Sequence, residues 1–363
     1  MKVVLLLPGL ERAGAETRTV ALALALRDAG STVTVATLRS GGDPGLRARL
    51  DARGIDVRTI SRRGERRALQ ESCARARRRE AVVLHSAMTT AGLYGMLLRR
   101  QAAAPLLHSF TNTLRPNRTG RPGIVACAAD ALLVRRADAI HAVSQDVGAQ
   151  LRDRFPRFAG KITALLDLTT EAAFEPGDPA ARILSILPAR TAQPKVLALG
   201  RLTGHKGQDV LLDALPVVAR HCPGVHVVVA GTGTERARLE SRAVALGVGS
   251  QVTFAGPTHS PRSFLDWADV LVHCSSHEGL SRACVEASMQ DVPVIVGNTP
   301  AAREHRRLTG GEVRLVPVGN AAALARALVQ TSRRSKCPRG SSSTKGPAEA
   351  FLALYSDLIE ENG

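Results

Sequence analysis

The sequence has few aromatic residues, few informative cysteines and no long apolar run. Aromatic residues make up only 3% of the chain, which argues against a function built on stacking with nucleic-acid bases. Its six cysteines form neither a CxxC pair nor a Cys/His ligand spacing, and their scatter is typical of a reducing cytoplasm. No run approaches the roughly 18 apolar residues of a membrane-spanning helix. We therefore expect a cytoplasmic protein, peripheral at most, at the inner face of a membrane.

Several motifs of catalysis and cofactor binding are also missing. The chain has no GK[ST] ending of a P-loop, and no GxGxxG follows the first strand of either half, which disfavours a nicotinamide cofactor. It has no GxSxG, so serine hydrolase chemistry is not indicated. It also lacks HExxH, DxD and any Cys/His cluster. We therefore expect neither a bound cofactor nor a metal ion.

The chain is strongly basic, with a formal net charge of +17 carried mostly by arginine. Such a balance keeps three anionic partners open: a nucleotide donor, an anionic membrane surface and nucleic acid. The most basic stretch runs from Arg62 to Arg79 (RRGERRALQESCARARRR). We interpret it as a solvated helix face, with a basic surface for anionic lipid as the alternative.

Apolar strands alternate with helices along the chain, a pattern typical of parallel sheets covered on both faces. The opening MKVVLLLPG predicts a first strand rather than a signal peptide. Strands are predicted over residues 2–7, 32–37, 82–84, 106–110 and 139–143, then from 195, and over 225–230, 252–254, 270–273, 292–296 and 313–316. Helices are predicted over 16–29 and 208–221.

The length of the chain, 363 residues, predicts two domains. The Pro- and Ala-rich segment 174–194 is the predicted boundary, which gives one Rossmann-like α/β domain at 1–185 and a second at 186–340. A polar linker, 331–347, leads to a terminal helix at 348–363 with one apolar face. We expect this helix to pack back on the first domain.

Two glutamates in the second half carry the strongest functional signal. Glu278 and Glu286 lie in HCSSHEGLSRACVEASMQDVPVIVGN, behind one apolar strand and ahead of another. One acidic residue at a helix start would mean little, because it suits the helix dipole. Two of them, roughly 12 Å apart if the whole span is helical, predict a long polar ligand such as a nucleotide sugar. The backbone N–H groups of Leu280, Ser281 and Arg282 would point at its diphosphate.

Two cations follow the strand that opens the second half. Arg201 and Lys206 lie in LALGRLTGHKGQ, at a strand end where open parallel sheets bind their ligands. Two cations there can hold a diphosphate and offset the charge that develops on a leaving group. The alternative is a pair of solvated loop cations. Their position and the downstream glutamates favour the diphosphate.

Several glycines and histidines give weaker signals. Gly231 and Gly233, in AGTGTE, mark either a ligand-binding loop or a tight turn. Gly14 would let the backbone approach a sugar or phosphate, or is an ordinary loop glycine. His85 and His108 are weighed as residues of a ligand cleft against hydrogen-bonded packing residues of a strand.

At these segments the chain resembles the GT-B retaining glycosyltransferases of family 4. GRLTGHKGQDVLLDA is similar to the strand–loop–helix GRL…KG…LL.A of the family, and VVVAGTGTERARLE to its G.G.E…L segment. HEGLSRACVEASMQDVPVIVGN matches the E-x7-E signature and the strand that follows it. The first half matches more loosely, through its AGAE loop, HAVSQDV and the terminal AFLALYSDL.

The resemblance implies a role for each matched residue on the donor side. Arg201 and Lys206 would hold the donor diphosphate and act in catalysis together with Glu278, which would contact the hydroxyls of the sugar. Glu286 would bind the ribose of the nucleotide. The remaining donor-binding candidates are Gly279, Leu280, Ser281, Arg282, Gly14, Gly231 and Gly233.

On the acceptor side the resemblance points to the end of a strand in the first half. Many relatives carry a histidine there, and matching PLLHSFTNT to that pattern puts Thr111 or Asn112 at its place. His108 lies three or four residues earlier, and His85 is the remaining acceptor-side candidate.

The resemblance implies a metal-independent, retaining transfer of a hexose-type sugar from a nucleoside diphosphate to an acceptor hydroxyl. The acceptor would be a natural product, a lipid-linked sugar or a polysaccharide precursor. Two Rossmann-like domains of a GT-B fold would face each other across a cleft that holds the donor.

Two other functions stay open on the sequence. A nucleotide-sugar epimerase of the same architecture would use the same nucleotide site and need no acceptor. A basic protein that kept the fold and binds nucleic acid or a membrane would explain the charge, although nucleic acid is disfavoured by the scarcity of aromatic residues. Fold alone does not separate these functions.

Overall fold

A computed structural model describes residues 1–11, 14–61, 63–111, 124–165, 183, 194–258, 261–309, 312–332 and 347–362. The chain divides into two compact units. Unit 1 comprises Met1–Thr170 and Lys345–Gly363, and unit 2 comprises Glu171–Thr344. The predicted domain boundary at 185/186 lies outside the described residues, as does the acceptor-side candidate Asn112.

Each unit is built on one parallel sheet. The sheet of unit 1 has seven strands in the order β3-β2-β1-β4-β5-β6-β7. They are β1 (Lys2–Leu7), β2 (Thr32–Thr37), β3 (Asp56–Thr59), β4 (Val82–Ala87), β5 (Leu106–Phe110), β6 (Ala139–Ala142) and β7 (Ile162–Ala164). The sheet of unit 2 has six strands in the order β10-β9-β8-β11-β12-β13. They are β8 (Lys195–Leu199), β9 (His226–Ala230), β10 (Val252–Gly256), β11 (Val270–His273), β12 (Val294–Gly297) and β13 (Val313–Val316).

Helices connect the strands and cover the sheets. Those of unit 1 are α1 (Gly14–Asp28), α2 (Pro44–Ala52), α3 (Arg63–Ala76), α4 (Thr89–Ala102), α5 (Ile124–Arg136) and α6 (Gln145–Arg154). Those of unit 2 are α7 (Gln208–His221), α8 (Arg236–Ala245), α9 (Arg262–Trp267), α10 (Arg282–Met289), α11 (Pro300–Thr309) and α12 (Ala321–Ser332). The last helix, α13 (Pro347–Asn362), belongs to unit 1.

Strands buried on both faces explain the continuous apolar runs of the sequence. In β11, Val270 and Val272 contribute to one core cluster of unit 2, and Leu271 between them contributes to the other. Because successive side chains of a strand point to opposite faces, each face of the sheet has its own core. The sheet of unit 2 is therefore a rigid base for the loops at its strand ends.

Helix α13 completes the core of unit 1. Its side chains Phe351, Tyr355 and Leu358 are at most 2% exposed and belong to the same cluster as Val20 and Leu24 of α1. This packing accounts for the apolar face seen in the terminal sequence.

The predicted strands missed both edges of the first sheet. β3, with the sequence DVRT, is mostly half-buried, and β7 is three residues long. An edge strand has one neighbour and less buried surface, so its sequence lacks the apolar run by which the central strands were recognised.

Candidate active site

The predicted site residues of unit 2 follow two strands that are neighbours in the sheet. β8 pairs in parallel with β11, with Val196 opposite Val270 and Leu197 opposite Leu271. The chain continues from β8 to one side of the sheet, through β9 and β10, and from β11 to the other side. The space beyond β8 and β11 is therefore the switch point of the sheet, where open α/β folds bind their ligands.

The loops after these two strands are joined through backbone contacts. The amide of Ser276 donates to the carbonyl of His205 over 2.9 Å, and the rings of His205 and His277 stack at 4.9 Å. Gly207 has φ +69°, and a Cβ there would lie 2.3 Å from the carbonyl oxygen of Cys274. A side chain at this position would separate the two loops, so glycine permits the contact.

The joined loops bring Lys206 and Glu278 together. The Lys206 ammonium forms an ion pair with Oε1 of Glu278, and both side chains are about five-sixths buried, at 15% and 16% exposure. The hydroxyl of Ser275 donates to the same oxygen over 2.8 Å, and Nε2 of His273 lies 3.2 Å from it. Three donors from two strand ends thus converge on one carboxylate oxygen.

These donors decide the charge of Glu278. Burial alone would raise the pKa of its carboxyl group, but the hydrogen bond from His273 and the positive charge of Lys206 outweigh burial and hold the pKa well below its usual range. Glu278 is therefore a carboxylate at neutral pH. It can accept hydrogen bonds but cannot serve as a proton donor.

The span between the two glutamates is only partly helical. Helix α10 begins at Arg282, and Ser281 is its N-cap, with its Oγ accepting from the amide of Cys284 at 3.4 Å. The whole span from Glu278 to Glu286 is therefore not helical, and the separation of roughly 12 Å that a fully helical span would give does not apply. Glu278 is held in the preceding loop by its three donors, and the capping serine starts the helix later.

Glu286 lies within α10 and is 8% exposed. Its Oε1 accepts from the guanidinium of Arg282, one turn earlier, with Nε at 3.0 Å. The i, i+4 spacing places the two side chains on the same helix face. Between the glutamates, Gly279 and Leu280 are buried in the loop that leads to the helix.

Arg201 is exposed in the loop after β8, and its carbonyl accepts from Nε2 of Gln208 at 3.1 Å. The structure thus places Arg201 and Lys206 in one loop at the switch point, with the Lys206–Glu278 pair beside it. These are the residues for which the sequence predicted a diphosphate and sugar site.

The glycines after β9 have a packing reason. A Cβ on Gly231, whose φ is +148°, would lie 1.9 Å from the carbonyl oxygen of Gly200, and a Cβ on Gly233 would lie 2.1 Å from that of Leu202. The amide of Leu202 also donates to the carbonyl of Thr232 over 2.8 Å. The loop after β9 therefore supports the loop that carries Arg201, and close backbone approach explains both glycines.

The candidates in unit 1 are placed differently. His85 is 4% exposed, with Nδ1 bonded to the hydroxyl of Tyr355 and Nε2 to that of Ser109, both at 2.6 Å. His108 is 1% exposed and bonded through Nδ1 to Ser86 Oγ at 2.8 Å. These contacts favour the packing role that was weighed for both histidines.

The remaining candidates of unit 1 lie at the ends of elements. Thr111 is half-buried and directly follows β5, and Gly14 begins α1, with open space where its Cβ would be. Neither position shows a contact that distinguishes a ligand site from an ordinary loop.

Two features of the site were missed from the sequence. One is the set of donors on Glu278, because the role of His273 and Ser275 depends on how the loop folds back. The other is the Arg282–Glu286 pair, for which the i, i+4 spacing was an available signal.

A small concavity, partly open to solvent, lies next to Glu278. It is lined by His273, Ser275, Glu278, Ser281, Cys284, Val296, Thr299, Ala301, Ala302 and His305. Among the described residues, no group of three or more His, Cys, Asp or Glu side chains is arranged to hold a metal ion. None of the helices in the described chain is long and apolar enough to cross a membrane.

Comparison with family models matches both halves of the chain. Residues 193–333 match the model described as "Glycosyl transferases group 1", and residues 13–165 match "Glycosyl transferase 4-like domain". The first match contains Arg201, Lys206, Glu278 and Glu286.

Curated relatives are similar over part of their length. The lipopolysaccharide core biosynthesis glycosyltransferase LpsE of Rhizobium meliloti is 37% identical over 173 residues, 46% of this chain and 49% of LpsE. The GDP-mannose-dependent alpha-(1-6)-phosphatidylinositol monomannoside mannosyltransferase of Mycobacterium tuberculosis is 35% identical over 171 residues, 44% of each chain. The chain thus matches about half the length of these relatives.

Solved structures share the fold over the whole chain. Anabaena Alr3699/HepE in complex with UDP-glucose has a TM-score of 0.71 at 20% identity, covering 100% of this chain and 98% of that one. WaaG, a glycosyltransferase involved in lipopolysaccharide biosynthesis, has a TM-score of 0.62 at 15% identity, covering 99% and 94%. The predicted α/β architecture is confirmed as a GT-B fold.

None of these comparisons supports the epimerase or the nucleic-acid-binding alternative. The first match covers the sheet of unit 2 and the E-x7-E segment at its switch point, and the second covers strands β2 to β7 of unit 1. The chain belongs to the group 1 glycosyl transferases.

Proposed function

We propose that the protein is a retaining, metal-independent glycosyltransferase that moves a hexose-type sugar from a nucleoside diphosphate to an acceptor hydroxyl. One observation carries the proposal: Lys206 and Glu278, from two different strand ends, meet at the switch point of the sheet of unit 2. A cation and an ionised carboxylate side by side are suited to a ligand that has phosphate at one place and hydroxyls at the next.

The two cations would hold the donor diphosphate. The Lys206 ammonium has three N–H donors, so it can keep Glu278 and also donate to a phosphate oxygen. The exposed Arg201 guanidinium offers a planar fork that matches two phosphate oxygens. Together they would balance the charge that develops when the diphosphate leaves.

The two glutamates would bind the hydroxyls at the two ends of the donor. Lys206, Ser275 and His273 all contact Oε1 of Glu278, so we assign its Oε2 to hydroxyls of the sugar. Arg282 contacts Oε1 of Glu286, and we likewise assign Oε2 of Glu286 to the ribose of the nucleotide. In each case a cation holds one oxygen in place and the other accepts from the ligand.

Transfer would then proceed on one face of the sugar. The bond between the anomeric carbon and the diphosphate breaks, and the acceptor oxygen forms a new bond from the same side. The proton of the acceptor hydroxyl passes to the leaving phosphate oxygen. Arg201 and Lys206 would stabilise this step through charge, and Glu278 would orient the sugar through its hydroxyls.

We propose a UDP- or GDP-hexose as donor and a lipid-linked sugar, a polysaccharide precursor or a natural product as acceptor. The support is by likeness: the mycobacterial relative is named for GDP-mannose and a phosphatidylinositol mannoside, and HepE is seen with UDP-glucose.

We also propose that α3 and the turn after it contact an anionic membrane. The buried face of α3 carries Leu69 and Cys73, while Arg67, Arg75 and Arg78 are exposed. Such a surface would bind through charge rather than insertion. Cosedimentation with phosphatidylglycerol vesicles should be lost at high salt and absent with pure phosphatidylcholine. Equal binding to both lipids would contradict this contact.

Hydrolysis of the donor tests the main proposal without knowledge of the acceptor. Water replaces the acceptor, and one-dimensional proton NMR follows the released sugar before its anomers equilibrate. UDP-glucose or GDP-mannose should release the α-anomer first, at the same rate with and without EDTA. Initial release of the β-anomer, or loss of activity in EDTA, would contradict the mechanism. An epimerised nucleotide sugar without release would favour the epimerase.

A further inference from the structure

The cavity beside Glu278 contains a buried histidine for which the donor site described so far has no use. His305 lies on α11, is 2% exposed and lines the cavity together with Glu278. The cavity also borders Ser281, the cap of α10, and Thr299, at the start of α11. The cavity therefore adjoins the glutamate to which we assign the sugar.

One nitrogen of His305 is bonded and the other is not. Its Nε2 lies 3.0 Å from the hydroxyl of Ser288 on α10, which fixes the orientation of the ring. Its Nδ1 is buried and has no hydrogen-bond partner within the described part of the chain. A buried polar atom without a partner costs free energy, and a polar group in the adjoining cavity could supply the missing partner.

The ring is neutral. Burial is the main cause that lowers the pKa of His305, to about 4, and the nearby His273 adds to it. A neutral imidazole offers one donor and one acceptor nitrogen, and the Ser288 hydroxyl can bond Nε2 in either role, so Nδ1 is the donor in one tautomer and the acceptor in the other. A hydroxyl group can both donate and accept, so it suits either tautomer.

The other walls limit what can enter. Cys284, Val296, Ala301 and Ala302 line the cavity with apolar surface. Placing an ionised group against such walls is costly, whereas a hydroxyl or hydroxymethyl group needs one polar partner. The chemistry of these walls thus favours a small neutral group, such as a single hydroxyl, over a carboxylate.

We propose that His305 is a specificity-determining residue for the donor sugar, whose Nδ1 hydrogen-bonds one hydroxyl while Glu278 holds another at the mouth of the cavity. The inference rests on the proposed function and deepens it, since it assigns a neutral hexose with a hydroxyl at the matching position. It also predicts that donors with a uronic acid are hydrolysed more slowly than donors with a neutral hexose.

The experiment compares donors and variants by initial rates of hydrolysis. The parent donor is UDP-glucose or GDP-mannose, whichever the wild type hydrolyses faster. It is compared with its monodeoxy analogues. If the parent donor is UDP-glucose, UDP-glucuronate is also tested. The variants are His305→Leu and His305→Gln, and the matched control is His226→Leu. His226, on β9, is also a buried histidine of unit 2. Its Nε2 is bonded to the hydroxyl of Thr253 on β10 at 2.9 Å.

We expect the kcat/KM of the wild type to be roughly five- to tenfold lower with one deoxy analogue than with the parent donor. This ratio corresponds to the loss of one hydrogen bond. With the parent donor, the kcat/KM of His305→Leu should be lower than that of the wild type by about the same factor. With that analogue, the kcat/KM of His305→Leu should fall no further. Every other analogue should lose equally in wild type and variant. His226→Leu should keep the wild-type donor profile.

Two results would overturn the proposal. One is a donor profile of His305→Leu that parallels the wild type for every analogue, which would mean that Nδ1 binds only a water molecule. The other is equal use of UDP-glucuronate and UDP-glucose. If His305→Leu does not fold, His305→Gln, which retains polar atoms, supplies the same comparison. A wild type that turns over neither UDP-glucose nor GDP-mannose would instead count against the proposed function.

Discussion

At the scale of single residues, Glu278 shows how a buried carboxylate is kept charged. Burial opposes ionisation, and an ion pair with Lys206 and a hydrogen bond from His273 reverse that effect. These contacts stabilise the folded unit only while the carboxyl group is ionised. The stability of unit 2 is therefore linked to pH through this residue.

Replacing Glu278 by glutamine tests this linkage. Because the folded pKa lies below the ordinary carboxyl value of about 4.3, the stabilisation is present above that pH and is lost as pH falls towards the folded pKa. We expect the free energy of unfolding of the wild type to exceed that of Glu278→Gln by about 1–3 kcal/mol above pH 5. This difference should become smaller below pH 4. Urea unfolding followed by Trp267, the single tryptophan, reports on unit 2. A gap independent of pH would contradict the linkage.

Arg282 is expected to position Glu286, the carboxylate that we assign to the ribose. Without its contact at 3.0 Å, the side chain of Glu286 regains rotational freedom. Arg282→Leu should therefore raise KM for the donor about three- to tenfold with a smaller change in kcat. The matched control is Arg242→Leu, which removes a two-bond ion pair with Asp213 elsewhere in unit 2. Unchanged KM in Arg282→Leu, or an equal change in the control, would contradict the role.

At the scale of elements, the loops after β8, β9 and β11 form one backbone assembly. The loop after β8 meets the loop after β9 through Gly231 and Gly233, and the loop after β11 through Gly207. The cations of the site are thus carried on a loop that is supported on two sides.

Gly233→Ala tests this assembly. The new Cβ would meet the carbonyl of Leu202 at 2.1 Å, and because that atom is backbone, a loop must move. We expect a loss of about 3 kcal/mol in the free energy of unfolding of unit 2, and weaker donor binding. Gly249→Ala is the control, since its Cβ would find only ordinary contacts at 3.6 Å or more. Equal stability of the two variants would show that the loops are not tightly packed.

The sequence predicted the central elements well and the edges poorly. β1, β2, β5 and β11 have the predicted bounds because each is a short segment rich in apolar or β-branched residues between turns. β3 and β7 were missed, since an edge strand needs no such run. The start of α10 at Arg282 was not predicted, because it depends on capping by Ser281 and on the hydrogen bonds that hold Glu278 in the preceding loop.

The placement of the candidate residues was predictable where position along the chain fixes position in space. Lys206 and Glu278 follow adjacent parallel strands, and their meeting follows from the strand order. The contribution of His305 was not predictable, because it comes from a later helix and depends on the packing of α10 against α11.

At the scale of the whole molecule, unit 1 contains a set of buried neutral histidines. Burial is the main cause that lowers the pKa of His85 well below its ordinary value, that of His108 to about 3 and that of His141 to about 4. In the unfolded chain these residues take up protons near pH 6.5, whereas the folded unit resists protonation. Stability is therefore full above that pH and declines below it.

We expect the free energy of unfolding of unit 1 to fall by roughly 3–4 kcal/mol between pH 7 and pH 5.5. Each of the three histidines should account for about one third of this fall. Hydrogen exchange of the β4 and β5 amides measures this loss for unit 1 alone. His141→Gln should reduce the slope with pH by about one third, whatever its effect on stability at pH 7. A flat profile between pH 7 and pH 5.5 would mean that the folded unit accepts these protons.

The central claim is that unit 2 binds a nucleotide sugar through Arg201 and Glu286 at the two sides of its switch point. Isothermal titration calorimetry of UDP-glucose and GDP-mannose tests it most directly, with Arg201→Ala and Glu286→Ala compared with Arg262→Ala and Glu240→Ala. The controls remove the same residue types from ion pairs on other helices of unit 2. We predict that the wild type and both controls bind one of the two donors, and that each site variant binds it at least about tenfold more weakly. Wild-type affinity in both site variants would contradict the account.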